Sequence, residues 1–385
     1  MRYLFNRSIS SIPASASLAI NEKAKAMRAA GKDVITLAAG EPDFDTPDRA
    51  RIAGIRAISE GHTHYTESRG IRPLREGIAR MLREDRGINC TADNILMAPG
   101  GKYAIYETVR TLIDPGEGQE VMILNPGWVS YAPIVSAAGG VPVGVELTFE
   151  ENYHITRQAL EKAVSPRTRL LIMNYPNNPT GCVYTKETLA GIHDVLRDRP
   201  VFVICDEVYR QLVYVEDYQS FSAFEDMRDR IIVTQSFSKP YAMTGWRVGY
   251  LMADRPVKEK LQPIHQYAVV SVPSFVQRGC VAALQHDTAP ERALFRRRRD
   301  YVCRRLREMG LPFREPEGAF YVFADVRKYG MDSLTFCTRM LKEGLVGTVP
   351  GVYFGTEGFL RLSYCYSDEE LATALGRMEA FVKTL

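Results

Sequence analysis

Between Asn94 and Ile231 the chain repeats one pattern five times: a short, almost continuously apolar run that ends in residues of quite different character. The runs are NILMAPG from Asn94, QEVMILNPG from Gln119, RLLIMNYP from Arg169, VFVICDEVY from Val201 and IIVTQSFSK from Ile231. Apolar runs without alternation suit strands buried on both faces. The amphipathic segments between them, such as Ala104 to Ile113 and Lys186 to Arg197, suit helices covering those faces. The pattern therefore predicts an α/β fold, with crossover units on a mostly parallel sheet and helices on both sides. RVGYLMA, from Arg247, follows the fifth run after a link too short for a helical crossover, so it is expected to lie antiparallel in the same sheet.

The two ends read differently. Residues 1–47 hold a helical pattern from Ser17 to Ala30, then the apolar VITLAAG and the turn-rich GEPDFDTP. Residues 285–385 alternate helical patterns with short strands at Ala319 to Val326 and Phe359 to Tyr364. At roughly 150 residues per domain, a chain of this length favours more than one core. The expectation is a large α/β domain over residues 48–284 and a smaller α+β domain assembled from both ends, 1–47 and 285–385.

Composition removes several function classes. Forty-nine basic against forty-six acidic residues leave a formal charge of +3, which gives no reason to expect a nucleic-acid partner. The run FRRRRDYVCRRLREMG carries Phe295, Tyr301, Val302, Leu306 and Met309 at helical spacing, so its arginines are expected on the solvated face of an amphipathic helix. Seven dispersed cysteines without a CxxC pair point away from a disulfide framework and from a zinc site, and toward a reducing cytoplasm. No metal is expected. MRYLFNRSISSIPAS lacks a signal-peptide core, and no stretch approaches the ~18 apolar residues of a membrane span.

What stands at the carboxyl end of each run is informative, because ligands of open α/β sheets bind there. The five ends deliver Gly100, Gly101 and Lys102; Asn125 to Trp128; Asn177 to Gly181; Asp206, Glu207 and Tyr209; and Ser236, Ser238 and Lys239. A glycine pair opening a helix makes an anion cradle, although it equally marks a tight turn. Ser236, Ser238 and Arg247 could add donors to the same anion, for which phosphate is the obvious candidate. Neither a Walker motif nor GxGxxG occurs. Asp206, ending an apolar run, is either a cap or the partner of a cation such as a protonated aromatic nitrogen. Trp128 is core or a platform for a flat ring. Tyr209 and Asn178 could hydrogen-bond a phenolic oxygen, though Asn-Pro also marks plain turns. Lys239 is a solvated loop lysine or an amine for an aldehyde. Taken jointly they describe a phosphorylated hydroxypyridine aldehyde.

SFSKPYAMTGWRVGY, NYPNNPTG, CDEVY, AAGEPDFDTP and FLRLSY, spread over nearly the full chain, closely resemble the pyridoxal-phosphate aminotransferases of fold type I, in the class I and II group. The resemblance implies pyridoxal 5'-phosphate as cofactor. It makes Lys239 the lysine that carries the cofactor and serves as base, Asp206 the carboxylate at the pyridine nitrogen, Tyr209 and Asn178 the partners of the ring oxygen, and Trp128 the stacking aromatic. Gly101 and Lys102 through their backbone, with Ser236, Ser238 and Arg247, match the phosphate cup. Tyr65, in HTHYTES, matches a tyrosine that reaches the phosphate from the partner subunit, which implies a homodimer with shared active sites. Asn125-Pro126 and Asn178-Pro179 match positions where the family often has cis peptides. Arg361 matches the arginine that grips the substrate α-carboxylate, helped by the backbone of Gly40, with Trp128 and Asn178 lining the same space.

Gly100-Gly101-Lys102 resembles the bacterial aspartate aminotransferase branch, where the lysine ammonium can reach a distal carboxylate; Tyr103 and Ala104 depart from the commonest continuation. The implied function is transfer of an amino group from an L-amino acid, aspartate favoured, to 2-oxoglutarate in two half-reactions. A carbon-sulfur β-lyase, or an aminotransferase of aromatic, alanine or prephenate specificity, shares the same scaffold. A regulator that binds the cofactor without catalysis is the non-enzyme alternative, and would normally carry an added DNA-binding domain.

Overall fold

Seven strands form the central sheet, and the five apolar runs supply five of them. In chain order they are β1 (Ile95–Ala98), β2 (Glu120–Asn125), β3 (Val141–Glu146), β4 (Thr168–Asn174), β5 (Phe202–Asp206), β6 (Ile231–Ser236) and β7 (Gly249–Met252). Their spatial order is β1-β7-β6-β5-β4-β2-β3. Every pair is parallel except those of β7, which runs antiparallel to both β1 and β6 as the short link before it requires. The computed structural model describes residues 7–10, 12 and 16–385, so most of MRYLFNRSISSIPAS lies outside the described residues. Among the described residues no helix is long and apolar enough to cross a membrane.

Strand β3 is not announced by the sequence. Gly139, Gly140 and Pro142 interrupt its apolar pattern, and most of its residues are exposed or half-buried. An edge strand tolerates this, because one side of its ladder needs no partner and only one face is covered.

Alternation along the buried strands separates two cores. Met97, Met122, Leu171, Val203 and Val233 belong to the cluster on one face, while Leu96, Ile123, Ile172, Ile204 and Ile232 belong to the cluster on the other. A third cluster joins Leu37 to Phe295, Val302, Phe336, Leu360, Leu371 and Phe381, and receives Tyr209 and Leu212 from the central part of the chain. It packs around a three-stranded antiparallel sheet in the order Val349–Pro350, Phe359–Ser363, Tyr321–Asp325. Ile35–Thr36 pairs in parallel with Val346–Gly347, so a segment from the start of the chain is bound to one from its end.

The arginine-rich run forms the helix Ala289–Glu308, but its arginines are not uniformly solvated. Arg298 and Arg299 are buried, because they fall between Phe295 and Val302 on the apolar stripe itself. Arg298 donates two bonds to Asp43, at 2.7 and 2.8 Å, and one to Asp368 at 3.0 Å. This fork ties the GEPDFDTP turn to the two long C-terminal helices. Replacing Arg298 by Met keeps the stem and removes the fork, and should lower unfolding stability by about 1–3 kcal/mol. The check is urea denaturation: a lower midpoint is expected at an unchanged slope.

Candidate active site

Register aligns the strand ends that matter. Asn174 of β4 lies opposite Asp206 of β5, Asp206 lies opposite Thr234 of β6, and Ser236 and Ala98 both lie opposite Gly249 of β7. These pairings bring the strand ends side by side at one edge of the sheet.

Asp206 is 5% exposed. Its carboxylate accepts a bond from the Tyr131 hydroxyl at 2.6 Å and a longer one from the Val208 N–H at 3.3 Å. Burial raises its pKa from the ordinary 3.8 to about 6, against the lowering effect of those two bonds. Among the described residues no cation pairs with it. Asn174 completes the floor by donating to the Asp206 carbonyl at 2.8 Å and accepting from the Asn178 N–H at 2.8 Å. Neither Tyr131 nor Asn174 stands out in the sequence. Both would emerge from asking what could satisfy a carboxylate at the end of a buried strand.

The loop after β4 closes tightly, with Gly181 N–H donating to Asn177 O and Asn177 N–H to Cys182 O. The cis bonds are Asn125-Pro126 and Tyr175-Pro176; the bond expected at Asn178-Pro179 is trans, so the second cis peptide falls three residues earlier, where the chain leaves the strand. Asn178 is thereby held with its Oδ1 accepting from Arg361 Nη1 at 2.9 Å.

Arg361 is 5% exposed on the strand Phe359–Ser363, with its guanidinium over Tyr321 at 4.4 Å and Phe354 at 5.1 Å. It also donates to the Ala38 carbonyl, while its Nε is buried without a partner. Among the described residues no carboxylate meets it. Tyr321, another residue not read from the sequence, bonds Tyr209 hydroxyl to hydroxyl at 2.9 Å. A Cβ on Gly40 would stand 2.0 Å from the Tyr321 hydroxyl, so only glycine fits there. The Gly40 carbonyl accepts from Lys239 Nζ. Burial pulls the Lys239 ammonium down to about 8, and the Arg361 and Arg247 guanidiniums push the same way.

An anion cradle lies beside this group. The helix Gly101–Leu112 begins after Gly100 at φ 91°, a conformation that suits glycine, and a Cβ there would stand 2.6 Å from Arg247 Nη2. Arg247 itself adopts φ 51°, a strained conformation for a residue with a side chain. Ser236 and Ser238 bond to each other at 2.9 Å, and a Cβ on Gly249 would come within 2.6 Å of the Gly101 nitrogen. Free N–H groups of a helix start, two hydroxyls and a guanidinium thus share one small space.

Trp128 is half-buried, edge-on to Tyr131 at 5.3 Å, and Lys102 Nζ lies 4.8 Å from its ring centroid. Lys102 is exposed as a residue, yet desolvation of its ammonium, with Arg247 nearby, holds its pKa below the usual range. Of the residues expected from the sequence, Tyr65 alone is not drawn in: it is 84% exposed and makes no hydrogen bond with this group. The assembled groups offer donors for an anion, an acceptor carboxylate in Asp206 and a guanidinium in Arg361.

The chain was compared with known proteins. A model of the family "Aminotransferase class I and II" matches residues 32–378. The chain is 38% identical over 381 residues to an aspartate aminotransferase of Thermotoga maritima, covering 99% of this chain and all of that one. It is 40% identical over 361 residues to aromatic-amino-acid aminotransferase 2 of Thermococcus litoralis, covering 91% and 92%. The structure of Thermus thermophilus aspartate aminotransferase with maleate superimposes with a TM-score of 0.94 at 35% identity, covering 99% of this chain and all of that one. The fold is accordingly fold type I α/β.

The raised pKa of Asp206 sets a pH dependence for the cofactor-free protein. A group whose folded pKa is raised contributes stability below its unfolded pKa that is lost as pH rises through the folded one, here between 3.8 and about 6. Asp206→Asn removes that titration, and the Tyr131 hydroxyl can turn to accept from the amide. The variant should match wild type near pH 4 and exceed it by roughly 1–3 kcal/mol above about pH 7. Urea melts of both proteins across this range supply the check. A difference flat with pH would place the cost of burial elsewhere.

Proposed function

Because this chain belongs to the class I and II aminotransferases and is an aminotransferase, we propose that it uses pyridoxal 5'-phosphate to move the amino group of aspartate to 2-oxoglutarate. The observation carrying the cofactor assignment is Asp206, a buried carboxylate whose floor of Tyr131 and Asn174 leaves it no cation. A protonated pyridine nitrogen supplies that cation. The cradle of Gly100, Gly101, Ser236, Ser238 and Arg247 fits the phosphate, Tyr209 and Asn178 suit the ring oxygen, and Trp128 suits the ring face. When bound, the cofactor supplies an aldehyde for the amino group and a ring that takes up the electrons released at the substrate α-carbon.

The chain's own residues do the rest. Arg361 holds the α-carboxylate through a bidentate fork, which satisfies the unpartnered Nε and fixes the amino acid relative to the cofactor. Lys239, with its pKa near 8, is partly neutral at physiological pH, so its amine can take the proton from the α-carbon and hold it for return. Asp206 keeps a proton on the ring nitrogen throughout. The same residues serve the reverse half-reaction with 2-oxoglutarate. We read residues 48–284 as the cofactor-binding unit and 1–47 with 285–385 as the smaller one. A second copy supplies Tyr65, whose full exposure suits a role across a dimer interface; Ile52, Ile55 and Ile58 are exposed on the helix Asp48–Ser59. Seven free, buried cysteines suit a reducing cytoplasm.

Aspartate rests on Lys102, whose ammonium over Trp128 suits a distal carboxylate. The Thermus enzyme was solved with maleate, itself a dicarboxylate. The aromatic relative keeps a second reading open, which the aromatic surfaces of Trp128, Tyr321 and Phe354 favour. A panel of amino donors on wild type and Lys102→Ala separates the two. The substitution should lower the specificity constant for aspartate about 10-fold to 150-fold, the range for a hydrogen bond to a charged group, and that for phenylalanine far less. Equal losses for both donors would remove the support for acidic specificity.

A further inference from the structure

Away from the site just described, three segments bring metal-ligating side chains together. His154 lies in the stretch after β3, Cys182 closes the loop that carries Asn178, and Glu317 precedes the strand Tyr321–Asp325. One ligand atom from each lies within 4.8 Å of the other two. His154 Nε2 and Cys182 Sγ are 3.9 Å apart, close to the ~3.5 Å between nitrogen and sulfur in a tetrahedron with zinc bond lengths.

The surroundings already orient these ligands. His154 Nδ1 sits 2.9 Å from the Thr188 hydroxyl, and donation there leaves the Nε2 lone pair facing Cys182. Glu317 is fixed twice, by the Val183 N–H on its carboxylate at 3.0 Å and by its own N–H on the Gly181 carbonyl at 2.9 Å. His154 and Glu317 are only half-buried, which leaves a way in.

We propose that His154, Cys182 and Glu317 form a binding site for a divalent cation of the zinc class, with a fourth position open to water. The mixed nitrogen, sulfur and oxygen set selects against magnesium and calcium, which prefer oxygen alone. Binding replaces the Cys182 S–H bond by a sulfur–metal bond and releases the proton to solvent, without oxidation or reduction. The cation would tie the loop bearing Asn178 to the segment leading into Tyr321. Twenty-eight residues separate His154 from Cys182, so no motif spacing announces the site.

The cofactor-loaded full chain, stripped with a chelator and equilibrated with Zn²⁺, tests this by dialysis and metal analysis. One zinc per chain is expected. Affinity should fall at least about tenfold in Cys182→Ala, and about 10-fold to 100-fold in Thr188→Val, which keeps all three ligands and removes only the partner of the imidazole. Zinc should also protect Cys182 from alkylation, mapped by peptide mass spectrometry, while the other cysteines react as before. Absence of stoichiometric binding, or binding unchanged in both variants, would overturn the assignment.

Discussion

Arg361 carries a guanidinium into the interior, where it meets an amide oxygen, a carbonyl and two aromatic faces but, among the described residues, no carboxylate. Asp206 has the opposite deficit, a buried carboxylate met by a hydroxyl and an N–H but, among the described residues, by no cation. Unpaired buried charges are costly, and a fold that simply maximised stability would pair them or remove them. Here neither is paired in the free chain, and Lys239 stands with a depressed pKa. On the proposed function the cost is tolerable, because a ligand bearing a cationic nitrogen and a carboxylate meets both charges and its binding returns the stability.

Much of the remaining architecture serves to keep those charges in place. Parallel strands packed between two cores set Asn174, Asp206 and Thr234 in register, with Ser236 two residues beyond Thr234 at the same edge. Tyr131 and Asn174 fix the Asp206 carboxylate and backbone, and Asn178, anchored on Asn174, reaches across to Arg361. One chain of bonds therefore runs from the strand floor to the C-terminal sheet. The early segment Ala38 to Asp43 is clamped three times, by Arg361 on Ala38, Lys239 on Gly40 and Arg298 on Asp43. This explains why a segment so distant in sequence can line the site.

The central strands were legible because burial on both faces leaves an unmistakable run of apolar residues, and the residues at their ends stood out by contrast. Edge strand β3 was illegible for the opposite reason: solvent on one side permits Gly140, Pro142 and Gly144. Arg298 and Arg299 looked like surface charges, since composition cannot reveal that Asp43 waits more than two hundred residues earlier. Tyr131 and Tyr321 are ordinary core residues by type and Asn174 reads as the start of a turn, so only the three-dimensional demand of a buried charge gives each its role. The side chains proposed to meet the ligand were thus readable, and the ones that hold them were not.

In the proposed function Lys239 is the amine that engages the aldehyde of the cofactor. Borohydride reduction of the protein loaded with pyridoxal phosphate, followed by peptide mapping, addresses this directly by recording which nitrogen becomes permanently attached. A single pyridoxyl group per chain on the peptide containing Lys239 is the predicted result. Attachment at Lys102 or dispersed over surface lysines, with Lys239 unmodified, would contradict it.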